Sequence, residues 1–239
     1  MHRYLLALLL AAAVSVAALP AAAEVPTAAT LIDRAIAVSE AGSTLADHDM
    51  LRASIRQEET AKDGTSNVTE MTAVYYGESL DSVRLEFGQG ISLVLDGTTS
   101  WAMRRGQLDT RALAPRMAGG TIRQILFPLL LPFSLRMPGV NPGTVREGTF
   151  DDQPVWVMEV DFDKDFFVVP SMDTTWRIFF SRDDGSVLGA EYFPPEEFRS
   201  VQEEGVRYRV LTRSDVDGLT LPNNVLLDGI DATGIENGH

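Results

Sequence analysis

The chain has no cysteine and is poor in basic residues. Cysteine is absent from all 239 residues, which excludes disulfides, thiolate metal sites, iron–sulfur clusters and a cysteine nucleophile. Lysine and arginine together number 20, against 34 aspartates and glutamates, so the formal net charge is −14. Nucleic acids and anionic membrane surfaces attract basic proteins. The composition therefore argues against nucleic acid as a partner and leaves only transient contact with a membrane.

Histidine is almost absent as well. The three histidines are His2, His48 and His239. The first and last lie at the ends of the chain, so only His48 is placed to act in a serine–histidine–aspartate triad or a metal site. It follows a helical segment in a short polar stretch, which indicates an exposed linker. We therefore predict a protein that is not an enzyme, with no catalytic residue, no metal and no cofactor.

One acidic stretch imitates part of a calcium loop. Asp161, Asp163 and Asp165 alternate along the chain, but Phe166 and Met172 stand where such a loop needs glycine and glutamate. Alternation places the three carboxylates on one face of a strand. We interpret them as a solvated face without a metal.

The first 23 residues have the features of a secretory leader. A basic start precedes the apolar run Tyr4–Leu19, and the small residues 21–23 supply a cleavage signal. An uncleaved anchor is the alternative, but about 16 apolar residues fall short of the roughly 20 that a spanning helix needs. We predict a signal peptide over residues 1–23 and a single domain over residues 24–239, exported to the periplasm.

The rest of the sequence changes from a helical to a strand periodicity. Apolar residues recur at helical spacing after Pro26 and Thr27, and Gly42 is suited to end that helix. From Asp49 onward the apolar period is two, with turn residues between the runs, which predicts antiparallel pairing. The predicted strands are 50–61, 67–77, 82–87, 91–95, 99–105, 107–113, 144–149, 154–162, 174–181, 187–193, 205–214 and 225–231.

An apolar stretch interrupts the strands between residues 119 and 138. Gly119-Gly120 begins it, and Pro128 and Pro132 would break a long helix, so we expect one or two short helical turns lying over a sheet. This segment is either an ordinary crossover that covers the core or a movable lid over an apolar cavity, with the glycines as a hinge. Its large apolar residues, predicted to form the lid, are Ile125, Leu126, Phe127, Leu129, Leu130 and Phe133.

Several predicted strands are apolar on both faces. In one of them, Val155 and Val157 share one face while Trp156, Met158 and Val160 share the other. An antiparallel sheet with one solvated face would alternate. Both faces must therefore be shielded from water. Either the sheet is curved and its concave face encloses an apolar pocket, or a second chain packs on it. The residues predicted to form the cavity wall are Leu85, Phe87, Leu93, Leu95, Trp101, Met103, Trp156, Met158, Trp176, Ile178 and Phe180.

Three segments resemble parts of a known family. Leu93–Trp101, with its Asp-Gly turn, is similar to a hairpin of the periplasmic LolA-like lipoprotein carriers, the outer-membrane lipoprotein-sorting proteins. Trp176–Phe193 resembles a later hairpin of the family, and Asp215–Pro222 resembles its closing segment, so that the resemblance covers residues 27–232. It implies a mainly β fold with α (α+β). The expected architecture is a strongly curved antiparallel half-barrel of about 11 strands, with an N-terminal helix and a short helical lid over an apolar cavity.

The resemblance also implies a function. It indicates an exported periplasmic carrier that holds the acyl chains of a lipid or lipoprotein in the cavity. The alternative is an envelope sensor or protein-interaction module of the same fold, with an envelope protein as its partner. Arg84 is the nearest match to the arginine that holds the lid closed in the carriers. Arg52 and Arg56 are the alternative candidates for that role. After Trp101 the chain has Ala102–Gly106 where the carriers have a tyrosine and an acidic or Asn-Pro turn, so the broader lipoprotein-sorting group is the closer match.

Overall fold

The strands form two six-stranded antiparallel sheets, and in each sheet every strand pairs with its neighbours in sequence. Neither sheet closes on itself. This computed structural model describes residues 24–60, 65–76, 82–169, 172, 174–198 and 205–230. The predicted signal peptide and the turns predicted at residues 62–64 and 77–81 lie outside the described residues.

Each sheet is a meander, and one helix precedes each of them. The first sheet contains β1 (Met50–Thr60), β2 (Ser66–Tyr76), β3 (Ser82–Phe87), β4 (Ile91–Asp96), β5 (Thr99–Arg104) and β6 (Gln107–Leu108). The second contains β7 (Val140–Phe150), β8 (Gln153–Phe162), β9 (Trp176–Ser181), β10 (Val187–Tyr192), β11 (Gly205–Val216) and β12 (Leu219–Ile230). The helices are α1 (Ala28–Ser39), before β1, and α2 (Ala114–Leu129), after β6. A short 3-10 helix, Phe133–Arg136, lies between α2 and β7.

The mainly β fold with α that the sequence predicts is confirmed. The strand predicted at residues 107–113 is mostly wrong. Only Gln107 and Leu108 pair with β5. The Oδ1 of Asp109 accepts a hydrogen bond from the backbone N–H of Arg111 at 3.1 Å, a local turn that competes with strand pairing. The chain therefore leaves the sheet at Asp109 and begins α2 at Ala114.

Both edge strands of the second sheet contain a proline and are longer than predicted. β7 begins at Val140 rather than at residue 144, and β12 begins at Leu219 rather than at residue 225. Pro142 and Pro222 lie inside these strands. A proline lacks the N–H that a ladder hydrogen bond needs, so it is tolerated in a strand only at an edge or a bulge. β7 and β12 are the two edges of their sheet, and the register of β7 shifts just after Pro142.

α1 begins where the sequence predicts. The Oγ1 of Thr27 accepts the backbone N–H of Thr30 at 3.2 Å and caps the first turn. The helix ends at Ser39, so Gly42 does not cap it as predicted. The N–H of Gly42 instead donates to the carbonyl of Gly218 at 3.0 Å, and a Cβ on Gly42 would lie 2.8 Å from the Gly218 Cα. Glycine is needed there because the loop after α1 touches the β11–β12 turn.

α2 is longer than predicted, because residues 114–129 form one continuous helix rather than one or two short turns. Pro128 lies in the last turn, where it removes a single backbone hydrogen bond. Gly119 and Gly120, predicted as a hinge, lie inside the helix. A Cβ on Gly119 would come 2.8 Å from the Ser100 Oγ, and a Cβ on Gly120 would come 2.6 Å from the backbone N of Val168. The glycines therefore allow α2 to approach its neighbours closely. Neither described helix is long and apolar enough to span a membrane.

The inner faces of both sheets share one hydrophobic core with the two helices. α1 packs against β7 and β12, the two edges of the second sheet, and α2 packs against β4 and β5 of the first. Contact of α1 with both edges is consistent with the curved half-barrel that the sequence predicts, and the core lies on the face of the second sheet that α1 covers.

Charged side chains cross the outer face of the second sheet. Glu191 on β10 is 4% exposed, and its Oε1 lies 2.5 Å from the Nη2 of Arg207 on β11. Arg207 also lies 3.7 Å from Asp151, and its guanidinium carbon lies 5.4 Å from the centre of the Phe150 ring. These charges border a second, smaller apolar cluster, whose buried members are Phe150, Val155, Val157 and Phe179.

Removing the charge of Arg207 should destabilise the fold by about 3 kcal/mol, because breaking a buried ion pair from one side costs roughly 3–5 kcal/mol. Arg207→Met keeps much of the side-chain volume but leaves Glu191 buried without this arginine. The control is Arg56→Met, because the Arg56–Glu58 pair, at 2.7 Å, is exposed and should contribute less than about 0.5 kcal/mol. Urea unfolding followed by tryptophan fluorescence measures both losses.

The double variant Glu191→Met/Arg207→Met should recover most of that loss, because replacing both members of a buried pair by apolar groups is often nearly neutral. An Arg207→Met variant that is no less stable than Arg56→Met would show that the outer-face ion pair does not contribute to the fold.

Candidate functional site

Aromatic side chains from α2, the second sheet and the loop after β8 meet in the centre of the core. Phe127 on α2 is fully buried. Its ring meets Phe162 and Trp176 edge to face, with ring centres 5.1 and 5.3 Å away. α2 thus places one ring against an aromatic wall formed by the second sheet. The members of this aromatic cluster are Phe127, Phe162, Phe166, Phe167, Trp176, Tyr192 and Tyr208.

Trp176 stacks on several members of the aromatic cluster. Its ring centre lies 4.7 Å from that of Tyr192 and 5.5 Å from that of Phe167, and its indole N–H donates to the carbonyl of Met172 at 3.1 Å. Burial raises the pKa of Tyr192 to about 12 and raises the pKa of Tyr208 as well, so both hydroxyls stay neutral at physiological pH. The buried polar side chains of the described residues are otherwise three serines and the outer-face Glu191, so the described core between the sheets is mainly apolar.

Most of the predicted wall residues come together on the inner faces of the two sheets. Side chains of α1 and α2 occupy the space between these faces in this conformation. Phe87 and Leu93 are partly buried against the core. The predicted wall residues that are fully part of it are Leu85, Leu95, Trp156, Met158, Trp176, Ile178 and Phe180.

Trp101 and Met103 lie on the opposite face of the first sheet from the rest of the predicted wall. Trp101 pairs with Val94, and Met103 pairs with Ser92, across β4 and β5. Residues directly opposed in an antiparallel pair share a face. Val94 and Ser92 alternate with Leu93, which packs against the core, so Trp101 and Met103 point away from it.

The inner face of β5 carries small residues instead. Ser100 and Ala102 occupy it, opposite Leu95 and Leu93, and α2 lies on them. The Oγ of Ser100 donates to the carbonyl of Pro115 in the first turn of α2 at 2.6 Å. Small side chains on the strand and Gly119 on the helix together let α2 lie directly on β5.

Arg84 does not lie near α2. It pairs with Val74 on the outer face of the first sheet, and its Nε lies 2.9 Å from a carboxylate oxygen of Glu86. Arg52 also pairs with Val74, and Arg56 shares its face because it lies four residues further along β1. All three arginines are therefore on the face away from the helix.

The predicted lid residues point mainly into the core. The buried hydroxyl of Ser134, just after α2, donates to the carbonyl of Phe127 at 2.7 Å and holds the end of the helix. Leu129 is half-buried. The other predicted lid residues are buried in the core (Leu126, Phe127, Phe133) or packed partly buried against it (Ile125, Leu130).

Two depressions lie on the surface of the described structure. One, of about 220 Å³, lies between the β4–β5 turn, α2 and the loop after β8, with Leu95 and Phe166 in its floor and Arg123 and Lys164 in its lining. The other, of about 500 Å³, lies at the far end of the first sheet and is lined mainly by polar residues of its outer face, including Ser54, Glu70 and Thr72, with Met71 beside them. Leu95, Phe166 and Met71 all belong to the core.

The sequence did not reveal the loop members of the aromatic cluster. Phe166 and Phe167 are 3% and 2% exposed, although the flanking aspartates make their stretch resemble a solvated face in the sequence. Asp165 remains at the surface and accepts a hydrogen bond from Arg116 at 2.6 Å, while the two rings turn inward. Two adjacent aromatic residues in an acidic loop are the signal that could have located them.

One serine–histidine contact occurs in the loop after α1. The Nε2 of His48 lies 3.0 Å from the Oγ of Ser43, and that hydroxyl donates its proton to the carbonyl of Asp217 at 2.6 Å. His48 therefore donates to Ser43 rather than accepting its proton, which is the reverse of what a nucleophilic serine requires. The contact ties the loop to the β11–β12 turn.

Comparison with known proteins identifies the fold. No protein-family model matches the sequence, and no curated protein matches it. A LolA superfamily protein from Nitrosomonas europaea superposes with a TM-score of 0.56 at 13% identity, covering 87% of this chain and 88% of that chain. The fold is LolA-like. An outer membrane lipoprotein-sorting protein domain from Vibrio parahaemolyticus superposes on this chain with a TM-score of 0.50 at 12% identity, covering 85% of this chain and 86% of that one.

A third solved structure has the same LolA-like fold. It is a DUF1329 family protein from Desulfovibrio piger, with a TM-score of 0.52 at 9% identity, covering 84% of this chain and 86% of that chain. The resemblance carried by the hairpin motifs is thus confirmed at the level of the fold. Within this LolA-like fold, α2 lies between β4–β5 and the aromatic cluster and covers the interior.

Proposed function

We propose that this protein is an exported carrier that holds the acyl chains of a lipid or lipoprotein in its interior, between the inner faces of the sheets and α2. The observation that carries the proposal is the position of α2, which places Ile122, Leu126 and Phe127, all at most 2% exposed, in the apolar space that an acyl chain would occupy. The proposed wall consists of the inner-face residues that the core brings together.

α2 is suited to move because its own sequence favours the helix weakly. Gly119 and Gly120 each cost about 1 kcal/mol relative to alanine, and Pro128 removes a hydrogen bond. Leu113, at the N-cap position, provides no side-chain hydrogen bond, whereas α1 is capped by Thr27. α2 is therefore held mainly by packing, and a ligand that replaces this packing can displace it.

The empty state, with α2 packed into the core, and the loaded state, with an acyl chain in that space, gain comparable free energy from apolar burial. Burial of three large apolar side chains of α2 contributes on the order of 6–9 kcal/mol, at about 2–3 kcal/mol each. An acyl chain contributes about 0.8 kcal/mol for each buried CH₂ group, so a 16-carbon chain gains on the order of 10 kcal/mol before ordering costs. An acyl chain can thus offset the loss of the contacts made by α2, which is what reversible loading requires.

The smaller depression provides an entrance for the ligand. Its floor is formed by core residues and its lining includes Arg123 and Lys164. The carboxylate of Asp165, in the same lining, is paired with Arg116, and that of Asp163 accepts a hydrogen bond from Asn141. A lipid or fatty acid whose acyl chain enters here would leave its phosphate or carboxylate beside Arg123 and Lys164.

The binding of a brominated fatty acid tests the proposal, because bromine quenches a tryptophan that it contacts. We expect saturable quenching with one ligand per protein. Trp176→Phe should remove a large part of the quenchable emission, because Trp176 lies in the aromatic cluster. The matched control Trp101→Phe should retain it, because Trp101 lies on the outer face. Quenching that is absent, or that follows Trp101 instead of Trp176, would contradict an interior acyl site.

A further inference from the structure

A basic and apolar surface occurs at one edge of the first sheet of this acidic protein. It spans residues 104–117, from the β5–β6 turn to the first turn of α2, and every residue in it except Asp109 and Ala114 is exposed. The segment contains four arginines and one aspartate, whereas the chain as a whole has a net charge of −14. We refer to residues 104–117 as the β6–α2 edge.

Large apolar side chains project from the β6–α2 edge. Leu108 is 60% exposed, Leu113 is 66% exposed and Met117 is 49% exposed. Leu113 and Met117 lie one helical turn apart, so they project from the same side of α2. Exposed apolar side chains beside arginines are typical of surfaces that bind in the interfacial region of a membrane.

The charge of the edge is positive after its internal pairing is taken into account. The guanidinium of Arg111 binds the carboxylate of Asp109 through Nε at 2.9 Å and Nη2 at 2.5 Å, and these bonds lower the pKa of Asp109 to about 2. Arg116 pairs with Asp165. Arg104 and Arg105 are exposed, and neither forms a salt bridge within the described parts of the chain. The charge of Arg104 also contributes to the lowered pKa of Asp109, after the hydrogen bonds from Arg111.

The edge is held in place by the strand beside it. The N–H of Asp109 donates to the carbonyl of Ala102 in β5 at 2.9 Å, and the Oγ of Ser100 donates to the carbonyl of Pro115. The exposed side chains are therefore presented from an ordered backbone, and binding does not require the segment to fold first.

Exposed apolar side chains also occur on β11 and β12, but without the excess of positive charge found at the β6–α2 edge. Leu211 and Leu227, on β11 and β12, are 50% and 51% exposed, about as much as those of the β6–α2 edge. Val216 in the same hairpin lies between the exposed carboxylates of Asp215 and Asp217. Residues 205–230 contain three arginines and three aspartates, so this hairpin has no excess of positive charge. An anionic surface is therefore attracted to the β6–α2 edge and not to the hairpin, although both present apolar side chains.

We propose that the β6–α2 edge is a docking surface for a bilayer that contains anionic phospholipids. Leu113 and Met117 enter the headgroup region, and Arg104, which shares the α2 side of β5 with Ser100 and Ala102, lies with Arg105 against lipid phosphates. Leu108 pairs with Met103 on the opposite face of the sheet and does not take part. The net negative charge of the remaining surface keeps this contact local and reversible. The inference goes beyond the proposed carrier function and does not depend on acyl binding in the interior. Docking at this surface would place the first turn of α2 against the bilayer.

Flotation with lipid vesicles tests the proposal. The protein is used from Glu24 onward, so that the apolar leader cannot itself bind lipid. We expect it to float with vesicles of phosphatidylglycerol and phosphatidylethanolamine at low salt, and at least about tenfold less with phosphatidylcholine alone. Binding should also decrease as salt approaches about 1 M, where the screening length is about 3 Å.

Paired variants locate the surface. Arg104→Gln/Arg105→Asn should weaken partitioning about 25-fold, since each basic residue near an anionic surface contributes roughly fivefold. Leu113→Gln/Met117→Gln, which adds no N-cap hydrogen bond to α2, should weaken it by at least about tenfold. The matched controls Arg52→Gln/Arg56→Gln and Leu211→Gln/Leu227→Gln remove the same kinds of group elsewhere and should stay within about twofold of the original protein.

Two results would overturn the proposal. The first is an original protein that does not float with anionic vesicles, which would leave an acidic protein as the better partner for this surface. The second is a loss of binding in the control pairs as large as in the edge pairs, which would show that binding depends on overall charge or apolar content rather than on this surface. Because every substituted side chain is exposed, thermal unfolding should be unchanged in all four variants.

Discussion

Phe127→Ala is expected to weaken the fold and strengthen acyl binding at the same time. Phe127 is fully buried, and a phenylalanine-to-alanine change in a core costs roughly 3–5 kcal/mol. For a domain of this size the thermal midpoint should fall by roughly 10 °C. The variant vacates apolar space beside Trp176, so a ligand no longer has to displace the ring. We therefore expect the affinity for a fluorescent fatty acid to rise at least about tenfold, which corresponds to 1.4 kcal/mol.

Phe179→Ala provides the matched control. Phe179 is 4% exposed, but it stacks on Phe150 at 4.4 Å in the outer-face cluster, away from the aromatic cluster. Its loss should lower the thermal midpoint by a similar amount and leave the affinity unchanged. Thermal unfolding and a probe titration of both variants make the comparison. An equal rise in affinity for both would mean that general loosening, rather than space vacated under α2, admits the probe.

The face on which Trp101 lies could be obtained from the sequence. Asp96 and Thr99 flank the two-residue turn Gly97-Thr98 and pair with each other, and a turn of that length determines the register of the whole hairpin. Pairing outward from the turn places Trp101 opposite Val94, on the face away from Leu93. Period-two spacing within one strand identifies residues that share a face, but only the register between strands shows which faces of two strands coincide.

The form of α2 could not be obtained from local rules. Gly119, Gly120 and Pro128 each disfavour a helix in isolation, and the sequence accordingly predicts a broken segment. The helix forms because its apolar side is buried and because its glycines fit against Ser100 and Val168. Those partners are distant in the sequence, so their contribution is visible only once the chain has folded.

Charge patterns were the least informative feature of the sequence. The net charge of −14 argues against anionic membranes, yet it averages over the basic segment 104–117. The acidic and basic residues of β10 and β11 have the pattern of a solvated strand face, but Glu191 and Arg207 form a buried pair. Whether a charge is solvated or paired depends on which strands are neighbours, and composition does not contain that information.

A cross-link between α2 and β5 tests most directly whether α2 must move for the interior to bind an acyl chain. A Cβ on Gly119 would lie 3.2 Å from the Cβ of Ser100, a few tenths of an ångström short of the roughly 3.5–4.5 Å found in disulfides. The double variant Ser100→Cys/Gly119→Cys can form only this one intramolecular disulfide, because the chain has no other cysteine.

The measurement is the affinity of this double variant for a fluorescent fatty acid, with the same protein oxidised and then reduced. We expect the oxidised form, with the cross-link verified by mass, to bind at least about a hundredfold more weakly, equivalent to about 2.7 kcal/mol. Reduction should restore binding, and the original protein should not respond to the reductant. If the cross-linked protein takes up the probe as well as the reduced one does, α2 is a fixed part of the core and does not act as a lid.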